Sequence, residues 1–150
     1  MSLTAIVDAC TSHAMALGIF ETVNQHEPKN APGNGVACAI WSDVIEPIPE
    51  ASGLTATTAR VAMNVRIYMP MLQQPYDAID PAVMEATSSL MGAYSTAFTL
   101  GGLIRNVDLL GAHGEPLRAR AGYLEQDKKL YRAMVIMLPL IVNDLWTQTA

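Results

Sequence analysis

The side chains that most often carry out chemistry are few in this chain of 150 residues, and they lie far apart in it. The histidines are His13, His26 and His113, and none has a second ligand at the spacing of a metal site such as HxxxH or CxxC. The serines lack the GxSxG pattern of a nucleophile elbow. The glycines at 33–35 and 101–102 lack the spacing of a phosphate-binding loop. We therefore predict no metal site, no cofactor and no catalytic residue.

Carboxylates and thiols lead to the same expectation. Glu46 and Glu50 are close in sequence, but they flank prolines in a stretch that reads as the tip of a hairpin. A solvated tip accounts for them better than an acid and base pair does. Cys10 and Cys38 lie among apolar residues, which favours two buried thiols over a disulfide. We expect a protein that is not an enzyme.

Composition and charge exclude several classes of protein. The chain is 51% hydrophobic and 15% charged, which fits one globular domain over residues 1–150 and is unlike a disordered chain. So little charge fits either a compact monomer or a subunit that buries part of its surface against others. No uncharged apolar run is long enough to cross a membrane, and the N-terminus lacks the positive start of a signal peptide.

The acidic groups are unevenly placed within a net charge of −5. Before Arg60 the only base is Lys29, and the acids there are Asp8, Glu21, Glu27, Asp43, Glu46 and Glu50. The sequence contains no basic stripe that could grip phosphates, so we do not expect tight binding of nucleic acid.

One stretch, TTARVAMNVRIYMPM at residues 57–71, organises the rest of the chain. Its alternating pattern predicts a half-buried strand, because successive side chains point to opposite faces. The apolar face would carry Val61, Met63, Val65, Ile67 and Met69, and the polar face Arg60, Ala62, Asn64, Arg66 and Tyr68. Pro70 has no N–H to donate, so regular pairing should end near it.

The elements before and after this strand can be read from periodicity and turn residues. Apolar residues at helical spacing predict a first helix at 3–17, and a loop follows at 27–35. A largely apolar strand at 36–48 should form a hairpin with the central strand, with its tip at 47–57. Asp80 and Pro81 suit the start of a long helix, which Gly101 and Gly102 would end.

The last third of the chain reads as three strands, at 103–110, 117–124 and 130–142. The third is apolar on both parities, so its second face would need a partner subunit or a crossing segment to cover it. Helices and strands are segregated along the chain. We therefore predict an α+β fold, with a mostly antiparallel sheet and two main helices packed on one face.

The central strand followed by DAIDPAVMEATSSLMGAY at residues 77–94 resembles the tail terminator, or tail completion, proteins of long-tailed bacteriophages. The order of elements is also similar: a first helix, a loop, an apolar strand, a hairpin arm ending in proline, a long helix and a strongly apolar last strand. The likeness covers nearly the whole chain and includes no invariant motif. A longer C-terminal region departs from the compact members of that family.

The resemblance implies a structural virion protein located in the neck region of the tail. Such a protein forms a homohexameric ring on the finished tail tube, stops tube polymerisation and joins the tail to the head-to-tail connector protein. Double-stranded DNA would pass through the lumen without specific binding, and the major tail tube protein would be a second partner. On this hypothesis, the contact residues would be Glu46, Ile48, Glu50 and Leu54 at the hairpin tip and Arg66, Tyr68, Arg118 and Arg120 across a subunit boundary.

Two alternatives remain open at this point. The first is another neck or minor tail adaptor with the same fold. The second is a small-ligand-binding or enzymatic α+β domain, with a pocket between the long helix and the sheet lined by Met63, Met69, Met84, Met91 and Tyr94. Methionine at such spacing more often fills a core than lines a pocket, which ranks the second alternative lower.

Overall fold

A computed structural model describes residues 3–20, 22–25, 36–49, 52–53, 56–70, 79–96, 99–126 and 129–147. Within these ranges the chain forms two helices and six strands. In chain order they are α1 (Leu3–Ala16), β1 (Thr22–Asn24), β2 (Ala37–Pro47), β3 (Ala56–Pro70), α2 (Ile79–Thr96), β4 (Asn106–Val107), β5 (Arg118–Gln126) and β6 (Lys129–Thr147). No helix among the described residues is both long enough and apolar enough to cross a bilayer.

The described strands form one sheet in the order β1-β2-β3-β6, and β6 then pairs along its other side with both β5 and β4. All pairs are antiparallel except β1 with β2. The two longest strands, β3 and β6, lie side by side at the centre. The predicted α+β class, with a mostly antiparallel sheet, is confirmed.

Both helices pack on one face of the sheet and bury the main core. From the central strand, Val61, Met63, Val65 and Ile67 enter this core, as the alternation of β3 predicts. They meet Ile6, Cys10 and Ala14 of α1, Val83, Leu90 and Tyr94 of α2, and Ile136, Leu138, Leu140 and Val142 of β6. The hydroxyl of Tyr94 donates to the carbonyl of Cys10 at 2.9 Å, which ties the two helices together.

The opposite face of β3 is less polar than predicted. Arg60, Ala62 and Tyr68 are buried there, and among the five residues of that parity only Asn64 and Arg66 are partly exposed. Tyr68 packs edge-on against Tyr131 at a ring-centroid distance of 6.2 Å. A second apolar cluster forms around these rings and contains Ala37, Ala39 and Ala133, with Trp41 against it.

A covering loop at residues 108–117 explains why Arg60 is buried. Arg60 donates through its guanidinium to the carbonyl of Glu115, and its Nε lies 3.9 Å from the carboxylate of Asp108. That carboxylate also accepts the backbone N–H groups of Ala112 and His113, at 2.8 and 3.0 Å. The loop is therefore built around one buried charge pair on the face away from the helices.

The prediction of a strand at 103–110 is wrong except at Asn106–Val107, which form β4. Asp108 turns the chain by bonding to the loop after it, and Leu110 is 94% exposed, so the strand does not continue beyond Val107. Gly111 sits at φ 78°, and an added Cβ would lie 2.6 Å from the carbonyl oxygen of Gly114. The turn glycines and the aspartate thus replace most of the expected strand.

The long helix is shorter than predicted at its C-terminal end. It ends at Thr96 rather than at Leu100. Positive φ angles follow at Leu100, Gly101 and Gly102, so the glycines shape the turn after the helix. At the other end the helix begins at Ile79, which places Asp80 inside the first turn instead of at the cap. The predicted loop at 27–35 lies outside the described residues.

The last strand is longer than predicted, and the chain itself covers most of its second face. Pro139 and Ile141 are buried, and residues 105 and 108 donate backbone hydrogen bonds to their carbonyls. Tyr131 and Ala133 belong to the second cluster. Among residues 131–141 of that parity, only Val135 and Met137 stay partly exposed. The apolar side chains of β6 are therefore mostly buried within the subunit, and little of this strand is left for another subunit to bury.

Candidate functional site

Among the described residues, no group of His, Cys, Asp and Glu side chains comes together in a way that could hold a metal ion. His13 lies beside Tyr94 with 6.2 Å between ring centroids, and His113 lies in the covering loop. His26 lies outside the described residues. The expectation that the protein is not an enzyme stays a prediction.

The two thiols are buried in the main core, as predicted. Burial raises the pKa of both Cys10 and Cys38 from 9.0 to about 12, and at Cys10 a backbone hydrogen bond opposes part of that rise. Burial is also the largest reason why the pKa of Tyr94 lies well above its ordinary value, and the two thiols add to it. Neutral, enclosed thiols are poor nucleophiles, so these cysteines act as small apolar groups.

The structure gathers arginines that the sequence shows far apart. Because β6 pairs with β3 on one side and β5 on the other, Val135 lies between Arg66 and Arg120 in one row. In the next row Met137 lies between Asn64 and Arg118. Residues in one row share a face of the sheet. We call this surface the arginine face, and it is opposite to the helices.

Two shallow hollows lie between these arginines, with side chains of β6 as their floor. One, of about 200 Å³, is lined by Arg66, Arg120, Ala133 and Val135 among others. The second, of about 180 Å³, is lined by Asn64, Arg118, Arg120, Val135 and Met137. Arg120 borders both. Arg66, Arg118 and Arg120 were predicted as contact residues, and the structure brings them onto one face; their closeness is not visible along the sequence, because the pairing of β5 and β3 with β6 creates it across strands.

The arginines differ in what holds them. Arg118 forms an ion pair with Glu115 at the surface, and the guanidinium of Arg66 lies 4.9 Å from the centroid of the Trp41 ring. Arg120 is exposed and makes no hydrogen bond or ion pair with the described part of the chain. A solvated guanidinium next to an apolar floor is available to an anionic partner.

The predicted contact residues at the hairpin end fall into three groups. Glu46 is exposed on β2. Ile48 is only 3% exposed, and its N–H donates to the carbonyl of Thr58, so its predicted role at a contact surface is wrong. The same correction applies to Tyr68, which is 1% exposed. Glu50 and Leu54 lie outside the described residues.

Two sheet edges are unpaired within the described part of the chain. On the outer side of β2, β1 pairs only with residues 37–39, which leaves residues 40–47 without a neighbouring strand. On the outer side of β5, no described strand pairs at all. Exposed edges present backbone donors and acceptors to any strand that can reach them. We call these the β2 edge and the β5 edge.

Within the described part of the chain, the side chains predicted to line a methionine pocket do not come together as one. Met63 and Tyr94 are buried as core filling, and Met84 points to solvent on the outer side of α2. A hollow of about 160 Å³ lies instead between α1 and the sheet, lined by residues such as Leu3, Val7, Ser42 and Ile45. Its lining is mostly apolar and brings no acid, base or nucleophile together.

No protein-family model matches the chain, and no curated protein matches it. The architecture and the surfaces described above are therefore the basis for inferring a function.

Proposed function

We propose that this chain is a structural subunit of a long-tailed phage virion, a tail terminator that forms a hexameric ring at the head-proximal end of the tail tube. The ring would stop tube polymerisation and join the tail to the head connector, with DNA passing through its lumen. The observation that supports this best is the order of elements. A first helix, a β2–β3 hairpin with a proline at the end of β3, a helix α2 and a long apolar last strand follow the pattern of that family.

The surfaces are compatible with such a subunit. An unpaired edge lies on each side of the described sheet, so one copy can contact two neighbours through different surfaces. Contacts of that kind are heterologous and generate closed rings when the rotation between copies closes. The net charge of −5 suits a lumen that repels DNA.

Binding to tail tubes tests this proposal directly. Tubes polymerised from a co-encoded major tail protein would be mixed with the purified chain and viewed by negative-stain electron microscopy. We expect one ring at a single end of each tube and an arrest of further elongation. A chain that remains monomeric, ignores the tubes and leaves their growth unchanged would contradict the proposal.

Another neck or minor tail adaptor with the same fold remains the nearest alternative, and the position of the ring distinguishes the two. A ring that attaches to the head connector and leaves tube growth unchanged would indicate the adaptor.

A further inference from the structure

We infer that the β5 edge of one copy pairs with the β2 edge of a second copy and extends the sheet from subunit to subunit. This inference deepens the proposed function, because it names the surface through which the subunits of the ring meet. It follows from three properties of the two edges: their strand direction, their charge and their exposed apolar side chains.

The strand directions allow the join without turning the second copy over. Successive neighbours β2, β3, β6 and β5 are all antiparallel, so β5 runs opposite to β2. A second copy placed beside the first in the same orientation therefore brings its β2 antiparallel to β5. The free part of β2 at residues 40–47 is similar in length to the nine residues of β5.

The charges favour this pairing and oppose the two alternatives. The free part of β2 carries Asp43 and Glu46 and no base, while the first half of β5 carries Arg118 and Arg120. Two β2 edges would bring carboxylates together with no base, and two β5 edges would bring four arginines together with only two carboxylates, Glu125 of each copy. Charged edge strands commonly prevent unwanted pairing. Here the opposite net charges of the two edges favour the joining of unlike edges.

The side chains on both faces of the join are complementary. Glu46 pairs with Arg60 in the register of β2 with β3, so it lies on the arginine face, where Arg118 and Arg120 lie. On the helix face, Ile45 and Tyr123 are 42% and 64% exposed. The join therefore brings the carboxylate of Glu46 to the arginines on one face and buries two apolar side chains on the other.

Charge reversal at the two edges tests the inference by sedimentation velocity. Glu46→Arg and Arg120→Glu should each shift the protein from oligomer to monomer, by at least tenfold in the concentration needed for assembly. The double variant with both changes, and an equimolar mixture of the two single variants, should assemble again. Glu85→Arg on the outer side of α2 and Arg105→Glu in the turn before β4 change the charge equally and should leave assembly unchanged. Circular dichroism confirms that each variant is folded.

Several outcomes would overturn the inference. They are a wild-type chain that stays monomeric at millimolar concentration, single variants that assemble like wild type, and a double variant that fails to recover. Loss of binding to a single-stranded oligonucleotide by Arg120→Glu, with assembly intact, would instead assign the arginine face to nucleic acid. Rings that the single variants still form on tail tubes would remove this join and leave the proposed function standing. Self-assembly through these edges without any affinity for tubes would support the join and contradict the proposed function.

Discussion

The sequence predicts correctly the face of the sheet on which Arg60 lies, but it does not predict that this side chain is buried. The alternation of β3 places it on the face away from the helices, and the structure confirms that placement. Its burial depends on Asp108 and Glu115, which come far later in the sequence. No local pattern signals that a later loop will close over an arginine, so burial of this kind was not predictable from the sequence.

Removing Arg60 should destabilise the fold. Arg60→Leu leaves the carboxylate of Asp108 buried without its cation, and we expect a loss of about 3 kcal/mol in the free energy of unfolding. Urea titration measures this loss. The double variant Arg60→Leu with Asp108→Asn should recover part of it, because the unpaired charge is then gone. A loss below about 1 kcal/mol in the single variant would show that the pair contributes little.

The buried thiols should make stability depend on pH in the alkaline range. Their pKa rises from 9.0 when unfolded to about 12 when folded, so their contribution is complete below pH 9.0 and is lost as pH rises toward 12. Each thiol should lower the free energy of unfolding by about 1.4 kcal/mol per pH unit within that window. Urea titrations at several pH values should show that the free energy of unfolding of the double variant Cys10→Ala, Cys38→Ala falls less steeply with pH than that of the wild type. An unchanged dependence on pH would refute this role of the thiols.

At the scale of the elements, the strands that form long ladders were the most predictable. The parity of β3 and the apolar run of β6 each identify a strand, because the pattern repeats over many residues. The failures lie where tertiary contacts replace a local pattern. Residues 103–110 were predicted as a strand but turn at Asp108, and α2 ends before the glycines that were expected to stop it. The arginine face likewise depends on strand register.

The covering loop should be sensitive to any side chain at Gly111. Gly111→Ala combines a left-handed φ with a Cβ placed 2.6 Å from the carbonyl oxygen of Gly114. We expect a loss of about 1–3 kcal/mol in thermal or urea unfolding. Gly92→Ala is the matched control, since that exposed glycine lies inside α2 with open space around it. It should gain about 0.5–1 kcal/mol. If Gly111→Ala left the free energy of unfolding unchanged, the loop would be able to adapt to the added side chain.

At the scale of the whole molecule, the distribution of charge governs assembly. A join between the acidic β2 edge and the basic β5 edge should weaken as salt increases, because the Debye length falls from about 10 Å at 0.1 M to about 3 Å at 1 M. Sedimentation velocity across that range should show oligomers dissociating. Assembly that strengthens with salt would indicate a contact dominated by apolar burial instead.

The position of β6, which is central in the sheet but last among the described elements of the chain, has a consequence for biosynthesis. This strand is the last described element, and it pairs with β3, β4 and β5. While the ribosome still holds β6, the nascent chain has the β2–β3 hairpin and the helices but lacks the strand that joins them to β5. The β5 edge therefore exists only after translation has passed β6. Until β6 has emerged from the ribosome and paired, a nascent chain cannot offer that edge to a neighbour.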